Sequence, residues 1–560
     1  MGIGWNIARR SPAALTASIV LMGMLSACAP TTSLAPNSPP VTAPVIANSV
    51  DNFAYRAAEL TVREGLDGIT QRYITPIDME EMALGGLRGL ATIDPSLNFE
   101  MAPDRRQLHF SMGGEHLAHL MVADPNKMDS NAWARLTTDA LRTGRTYSED
   151  LQNADNERVY EAMFDGMLAN LDIFSRYAGA TQARANRAKR DGFGGIGIRF
   201  TKADDGILVT HVSMDSPAMD AGIKPGDVIT RVDDNGTATL KLGDVAAMLR
   251  GPVGSLINLT LSRLSGDAAA PEREIDVNLT RSHIVPETVR VALRDGLMLL
   301  RITSFNKSTS TALHDILRTH SVAIRDGSIT GVVIDLRGNP GGLLSQAVNV
   351  ADLFLDEGRI IATQGRHPDS YHDYRASGVD VSYGLPLAIL VDGDSASSAE
   401  IVASALQDLG RAVVIGSASY GKGTVQTVIR LPNDGEVTLT WSRFVSPAGY
   451  AIHGLGVMPA VCATNTTPAT GGTQNRESLT DTILSPAHID AGKSAMAAWR
   501  DAGLIFDGRR NTLRDACPAR TLKPQKSGDL LMKLAKRLIF DPALYRRAVL
   551  LSQPISTASR

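Results

Sequence analysis

Between Val285 and Val461 short apolar runs alternate with helical ones, and few folds accept that pattern. Gly331-Val332-Val333-Ile334-Asp335 and Leu387-Ala388-Ile389-Leu390-Val391 are apolar on both faces, as strands are when helices cover a sheet from either side. A strand is expected over Leu297 to Phe305 and helices over Ala312 to Ile324, over Leu343 to Leu355 and after Ser397. β structure is expected again from Ala412 to about Val461. Repeated strand–helix units require parallel pairing, so residues 286–462 predict an α/β core. In such cores the working groups gather where strands end and helix N-termini point.

The remaining chain is long enough, at 560 residues, to add further domains. Net charge is −3 with no long run of one sign, which argues against a nucleic-acid partner. Residues 1–28 pair Arg9 and Arg10 with an apolar stretch from Ala13 to Leu25. That stretch falls short of the ~20 residues a spanning helix needs, and so predicts an export signal. Leu25-Ser26-Ala27-Cys28 matches the bacterial lipobox, whose cysteine is lipidated; a plain cleavage site with an incidental cysteine is the alternative. Lipidation at Cys28 predicts a periplasmic protein tethered to a membrane, the outer one, without crossing it. Residues 29–50 read as a Pro/Ser/Thr-rich linker.

Residues 51–190 carry helical periodicity, with a weak duplication between Leu87–Ser96 and Met167–Ser175. His116 and His119 lack a neighbouring cysteine or acidic ligand set, so a solvated pair is expected rather than a metal site. Residues 463–560 begin with a loose link and turn helical around Leu530–Leu538. In an oxidising compartment Cys462 and Cys517 are candidates for a disulfide, the alternative being two buried thiols.

At Gly192 the pattern becomes β, and the order of strands and glycine turns across 191–285 resembles a PDZ domain. That resemblance assigns Gly195, Ile196, Gly197 and Ile198 to the loop that offers backbone N–H groups to a peptide's terminal carboxylate, the peptide adding itself as an edge strand.

Ser397 opens a helix in SASSAE, and Lys422 stands between two glycines in YGKGTVQ. A serine attacks an amide only if a nearby base takes its proton, and a lysine serves when burial keeps it neutral. No carboxylate neighbours Lys422 in sequence, and Gln426 can orient its amine without charging it. The N–H of Ser398 and the turn Gly338-Asn339-Pro340-Gly341-Gly342, through Gly341 and Gly342, are candidate oxyanion donors. Taken alone, Ser397 with Glu400 reads as a capping box, and GKGT as a truncated phosphate loop.

DLRGNPGG at 335–342, DSASSAEIVASALQDLGRAVVIG at 394–416, YGKGTVQ at 420–426 and SPAGYAIHGLGVMPAV at 446–461 together resemble the C-terminal processing peptidases of the S41 type. The resemblance runs over residues 51–461, leaving out the segment between the two helical repeats and the tail after Cys462, and implies a multidomain α/β endopeptidase: a helical N-terminal region, a PDZ domain and an S41 protease core, to which the helical extension over 463–560 is added. It places the nucleophile on Ser397, the base on Lys422 and its partner on Gln426. It implies substrates engaged through C-terminal tails and no cofactor; a lipoprotein adaptor and a homo-oligomer stay open. Ser398 stands where relatives carry a small apolar residue, making it a rival nucleophile. The competing function is an inactive PDZ-bearing lipoprotein scaffold that only binds tails.

Overall fold

The computed structural model describes residues 51–263, 273–464, 476–504, 510–523 and 528–552. Cys28, the export segment and the linker lie outside the described residues.

The N-terminal region comprises α1 (Tyr55–Arg72), α2 (Met79–Gly89), β1 (Leu97–Met101), β2 (Gln107–Met112), β3 (Glu115–Met121), α3 (Ser130–Tyr147), α4 (Glu149–Asn153), α5 (Asn156–Leu168), β4 (Arg176–Ala178) and α6 (Ala180–Asp191). The region is helical as expected, and the antiparallel sheet β1-β2-β3 is an addition set between its helices. Leu97, Phe99, Leu108 and Phe110 are buried in a period of two that is too short in each strand to stand out from sequence. The duplicated motif starts on α2 and α5, which pack together closely enough that a Cβ on Gly85 would lie 2.8 Å from the Gly166 carbonyl. His116 and His119 are exposed on β3.

The PDZ domain follows with β5 (Phe193–Gly195), β6 (Ile198–Ala203), β7 (Gly206–Val212), α7 (Pro217–Asp220), β8 (Val228–Val232), β9 (Asn235–Gly236), α8 (Leu242–Leu249), β10 (Leu256–Arg263), β11 (Arg273–Thr280) and β12 (Ser282–Ile284). Its main sheet runs β11-β10-β8-β7-β6, which leaves β6 at an edge, while β5 pairs with β12.

The core contains β13 (Val289–Arg294), β14 (Leu297–Ile302), α9 (Thr309–Thr319), α10 (Ser321–Arg325), β15 (Gly331–Asp335), α11 (Leu344–Asp352), β16 (Arg359–Gly365), β17 (His372–Arg375), β18 (Leu387–Val391), α12 (Ser398–Asp408), β19 (Val413–Gly416), β20 (Thr424–Arg430), β21 (Glu436–Val445) and β22 (Val461–Cys462). Its central sheet runs β13-β14-β15-β18-β19-β22, parallel from β14 to β22 with β13 antiparallel at one edge. Every residue of β18 is buried, as a strand covered on both faces must be. A second, antiparallel sheet runs β17-β16-β21-β20, and β4 of the N-terminal region pairs with β21. Every residue of α12 is buried, because α11, β16, β19 and the C-terminal α17 all pack on it.

The extension forms α13 (Arg476–Ile483), α14 (Pro486–Leu504), α15 (Arg510–Arg514), α16 (Leu530–Phe540) and α17 (Pro542–Ser552). A disulfide joins Cys462 on β22 to Cys517 beyond α15. Leu534, Ala535 and Leu538 of α16 are buried in the core's own hydrophobic cluster, so the extension belongs to that body.

Candidate active site

Three loops at the carboxyl ends of parallel strands meet in one cleft. The first follows β15 and contains the GNPGG turn; the second follows β18 and ends at Ser397; the third follows β19 and carries Lys422. Ser397, Ser398, Gly341, Gly342, Lys422 and Gln426 all line this cleft of about 440 Å³. The α/β alternation therefore delivers the sequence candidates to a single place.

Ser397 is held in an uncommon backbone conformation, φ 55° and ψ −114°, immediately before α12. Such geometry costs roughly 1–3 kcal/mol and persists only where the surroundings dictate it. Here its N–H donates to Glu400 Oε2 at 2.7 Å, and the GNPGG turn presses against it from the other side. At Gly341, with φ +96°, a Cβ would sit 2.8 Å from Ser397 Cβ and 3.0 Å from the Ser398 nitrogen, so only glycine lets the turn come this close. Ser398 Oγ donates to the Gly342 carbonyl at 3.1 Å, whereas the Ser397 side chain faces the Glu400 N–H in a capping box, where it acts as acceptor. Of the two rival serines, the second thus has its hydroxyl proton committed to backbone.

The three proposed oxyanion donors differ. Gly341 N–H is committed to Asn339 Oδ1 at 2.8 Å, while the N–H groups of Ser398 and Gly342 bond to nothing among the described residues. The last two are the donors free to meet a developing negative charge.

Glu400 does more than cap the helix. Fully buried, it accepts from Ser397 N–H, Gly421 N–H at 2.7 Å, Lys422 N–H at 2.9 Å and Ser419 Oγ. One carboxylate thereby ties the Ser397 loop to the Lys422 loop. Burial pushes its pKa up, against these donors, which favour the charged form. The capping box was legible; the reach of the same side chain to residues 419–422 was not, because it depends on how β19 and α12 pack.

Lys422 is mostly buried beneath residues of the N-terminal region. Its Nζ lies 5.2 Å from the centre of the Phe174 ring, and Arg176 stands nearby on β4. Burial, then the Arg176 charge, pull its pKa below the usual lysine value, while Glu400 and Asp172 pull the other way. Asp172 itself is secured by Phe174 N–H, Ser175 Oγ and Thr440 Oγ1. Phe174 and Arg176 were missed by sequence reasoning, since nothing local links them to a lysine some 250 residues on. Gln426 departs from expectation: its Nε2 donates to Thr424 Oγ1 at 2.8 Å and to Thr440 Oγ1 at 3.4 Å, not to Lys422. Ser397 Oγ and Lys422 Nζ are not hydrogen-bonded to each other; catalytic pairs often tighten only around substrate.

A second cavity, about 250 Å³, lies in the PDZ domain beside the edge strand β6. Gly195, Ile196, Gly197, Ile198 and Phe200 line it on one side and Leu249 of α8 on the other. Ile196 packs its side chain into the domain core, so the loop contributes backbone there. Gly197, at φ +81°, leaves no room for a side chain, whose Cβ would fall 2.3 Å from that of Ser216.

Residues 296–462 match the model of peptidase family S41, and residues 194–279 that of the PDZ domain. Over 361 residues, 64% of this chain and 82% of the relative, the sequence is 33% identical to the carboxy-terminal-processing protease of Bartonella bacilliformis. The chain belongs to peptidase family S41. With the carboxy-terminal processing protease CtpA of Bacillus subtilis it is 31% identical over 319 residues, 56% of this chain and 66% of that one. Among solved structures, the photosystem II D1 C-terminal processing protease is 22% identical, with TM-score 0.35, covering 73% of this chain and 95% of its own. This S41 protein is a serine peptidase of the carboxy-terminal processing group, with the PDZ domain inserted between its N-terminal region and its core.

Proposed function

We propose that Ser397 is the nucleophile and Lys422 the general base of a periplasmic endopeptidase that trims the C-terminal tails of exported proteins. The observation that carries this reading is the shared cleft, with Glu400 bonded to the backbone of both Ser397 and Lys422. Neutral Lys422 takes the Ser397 proton as Oγ attacks the scissile carbonyl. The carbonyl oxygen, now negative, is received by the Ser398 and Gly342 N–H groups. The protonated lysine then gives its proton to the departing amine, and water hydrolyses the acyl-serine by the same route in reverse. Gln426 helps shape the cleft rather than holding the amine.

The tail enters through the PDZ domain. A peptide laid along the free edge of β6 gains main-chain hydrogen bonds, its carboxylate facing the loop at Gly195–Ile198 and its last side chain the apolar wall of Phe200 and Leu249. Lipid on Cys28 tethers the enzyme, so that substrates are exported proteins within reach of the membrane and a separate lipoprotein adaptor is less needed. Incubating wild type and Ser397→Ala with a periplasmic extract, then mapping new C-termini by mass spectrometry, tests this reading. New termini should appear with wild type alone, while both proteins bind a tail peptide equally. Cleavage by Ser397→Ala would refute the nucleophile, and no cleavage by either would favour the binding scaffold.

A further inference from the structure

The extension beyond Cys462 falls outside the S41 match, yet it hydrogen-bonds to all three cleft loops. Arg337, just before the GNPGG turn, is shared between Asp335 and Asp529 of the extension, each at 2.8 Å. The loop leading to Ser397 is held by residues 520–522. Gly393 N–H donates to the Arg520 carbonyl at 2.9 Å, Thr521 Oγ1 to Asp394 at 2.7 Å and Leu522 N–H to Asp392 at 3.1 Å. The loop before Lys422 is met by Arg514, the last residue of α15.

Arg514 reaches four backbone carbonyls. Nη1 donates to Tyr420 at 3.2 Å, Gly454 at 3.3 Å and Leu455 at 3.1 Å, and Nη2 to Ser419 at 3.1 Å. Residues 417–423 form neither helix nor strand, so their carbonyls depend on donors from elsewhere. Glu400 grips this loop through its N–H groups, and Arg514 grips its carbonyls. Arg514 is not among the residues lining the cleft. The disulfide at Cys517, three positions on, fastens this arm to β22.

We infer that Arg514 is a positioning residue for the peptidase reaction: it fixes Ser419 and Tyr420 and thereby sets where Lys422 stands relative to Ser397. The inference rests on the proposal that Lys422 is the base. A guanidinium spreads its donors in a planar fork, which an ammonium at one point cannot reproduce across four carbonyls. Misplacing a catalytic group by about 1 Å costs on the order of 100-fold in rate.

The test uses the full chain with Arg514→Ala and Arg514→Lys, assayed on a short peptide and, separately, by fluorophosphonate labelling of the active serine. Arg514→Ala should lower kcat by about 10- to 100-fold with KM within about twofold, and Arg514→Lys should recover part of it. Labelling should reach the wild-type end-point more slowly by the same factor. Wild-type kcat in both variants would overturn the inference, as would a loss matched by a lower labelling end-point, which marks misfolding. If Arg514→Ala does not fold, a reduced kcat at full labelling in Arg514→Lys supports the inference and a wild-type kcat refutes it. Lys422→Ala separates the two claims: should it keep its rate, the base assignment fails; should it be inactive while Arg514→Ala is normal, only the positioning claim fails.

Discussion

Replacing Gly341 by alanine puts one methyl group between the GNPGG turn and the serine it supports. The new Cβ would lie 2.8 Å from the Ala396 carbonyl and from Ser397 Cβ, and 3.0 Å from the Ser398 nitrogen, where ordinary contact begins near 3.4 Å. Two of these three neighbours are backbone atoms and the other is bonded directly to backbone, so the turn or the serine must retreat by about 0.6 Å. If ~1 Å costs roughly 100-fold, that displacement lowers kcat/KM by about 10- to 20-fold, near 1.5 kcal/mol. Alanine at φ +96° adds a stability loss of about 1–2 kcal/mol. The assay is cleavage of a quenched fluorescent peptide, with thermal unfolding and binding of a tail peptide to the PDZ domain as controls. Tail binding should be unchanged, since the substitution lies in the core. A kcat/KM within twofold of wild type would refute the argument that close approach of this turn organises the cleft.

Glu400→Gln should cut kcat at least tenfold and lower stability by about 2–4 kcal/mol, because an amide accepts through one oxygen only and leaves buried N–H groups facing its NH₂; kinetics and urea unfolding check both. Cys517→Ser opens a bridge that closes 55 residues, worth about 4 kcal/mol of unfolded-state entropy. It should lower the denaturation midpoint measurably, while wild type under reducing conditions behaves like the variant.

Legibility from sequence followed the range over which each feature is decided. The strands at Gly331–Asp335 and Leu387–Val391 announced themselves because burial on both faces leaves no polar position in them before the terminal Asp335. Ser397 and Lys422 were legible because each sits in a short motif whose glycines and cap have local causes. Glu400 was half legible: its N-terminal cap is a four-residue event, but its bonds to Gly421 and Lys422 span a helix and a strand. Phe174, Arg176 and Arg514 could not be read at all, since each meets the Lys422 loop only through tertiary docking of another segment. The sheet β1-β2-β3 was hidden by strands of 5 to 7 residues lying between strongly periodic helices.

The pH dependence of kcat/KM bears most directly on the central claim, that Lys422 works as a neutral amine. Only deprotonated lysine accepts the serine proton, so activity must rise with pH through the lysine's own pKa and then level off. Burial and the Arg176 guanidinium pull that pKa below 10.5, outweighing Glu400 and Asp172. The account predicts a rising limb whose midpoint lies below pH 10.5, displaced upward in Arg176→Gln. A midpoint at or above pH 10.5, or the same profile in Lys422→Ala, would contradict it.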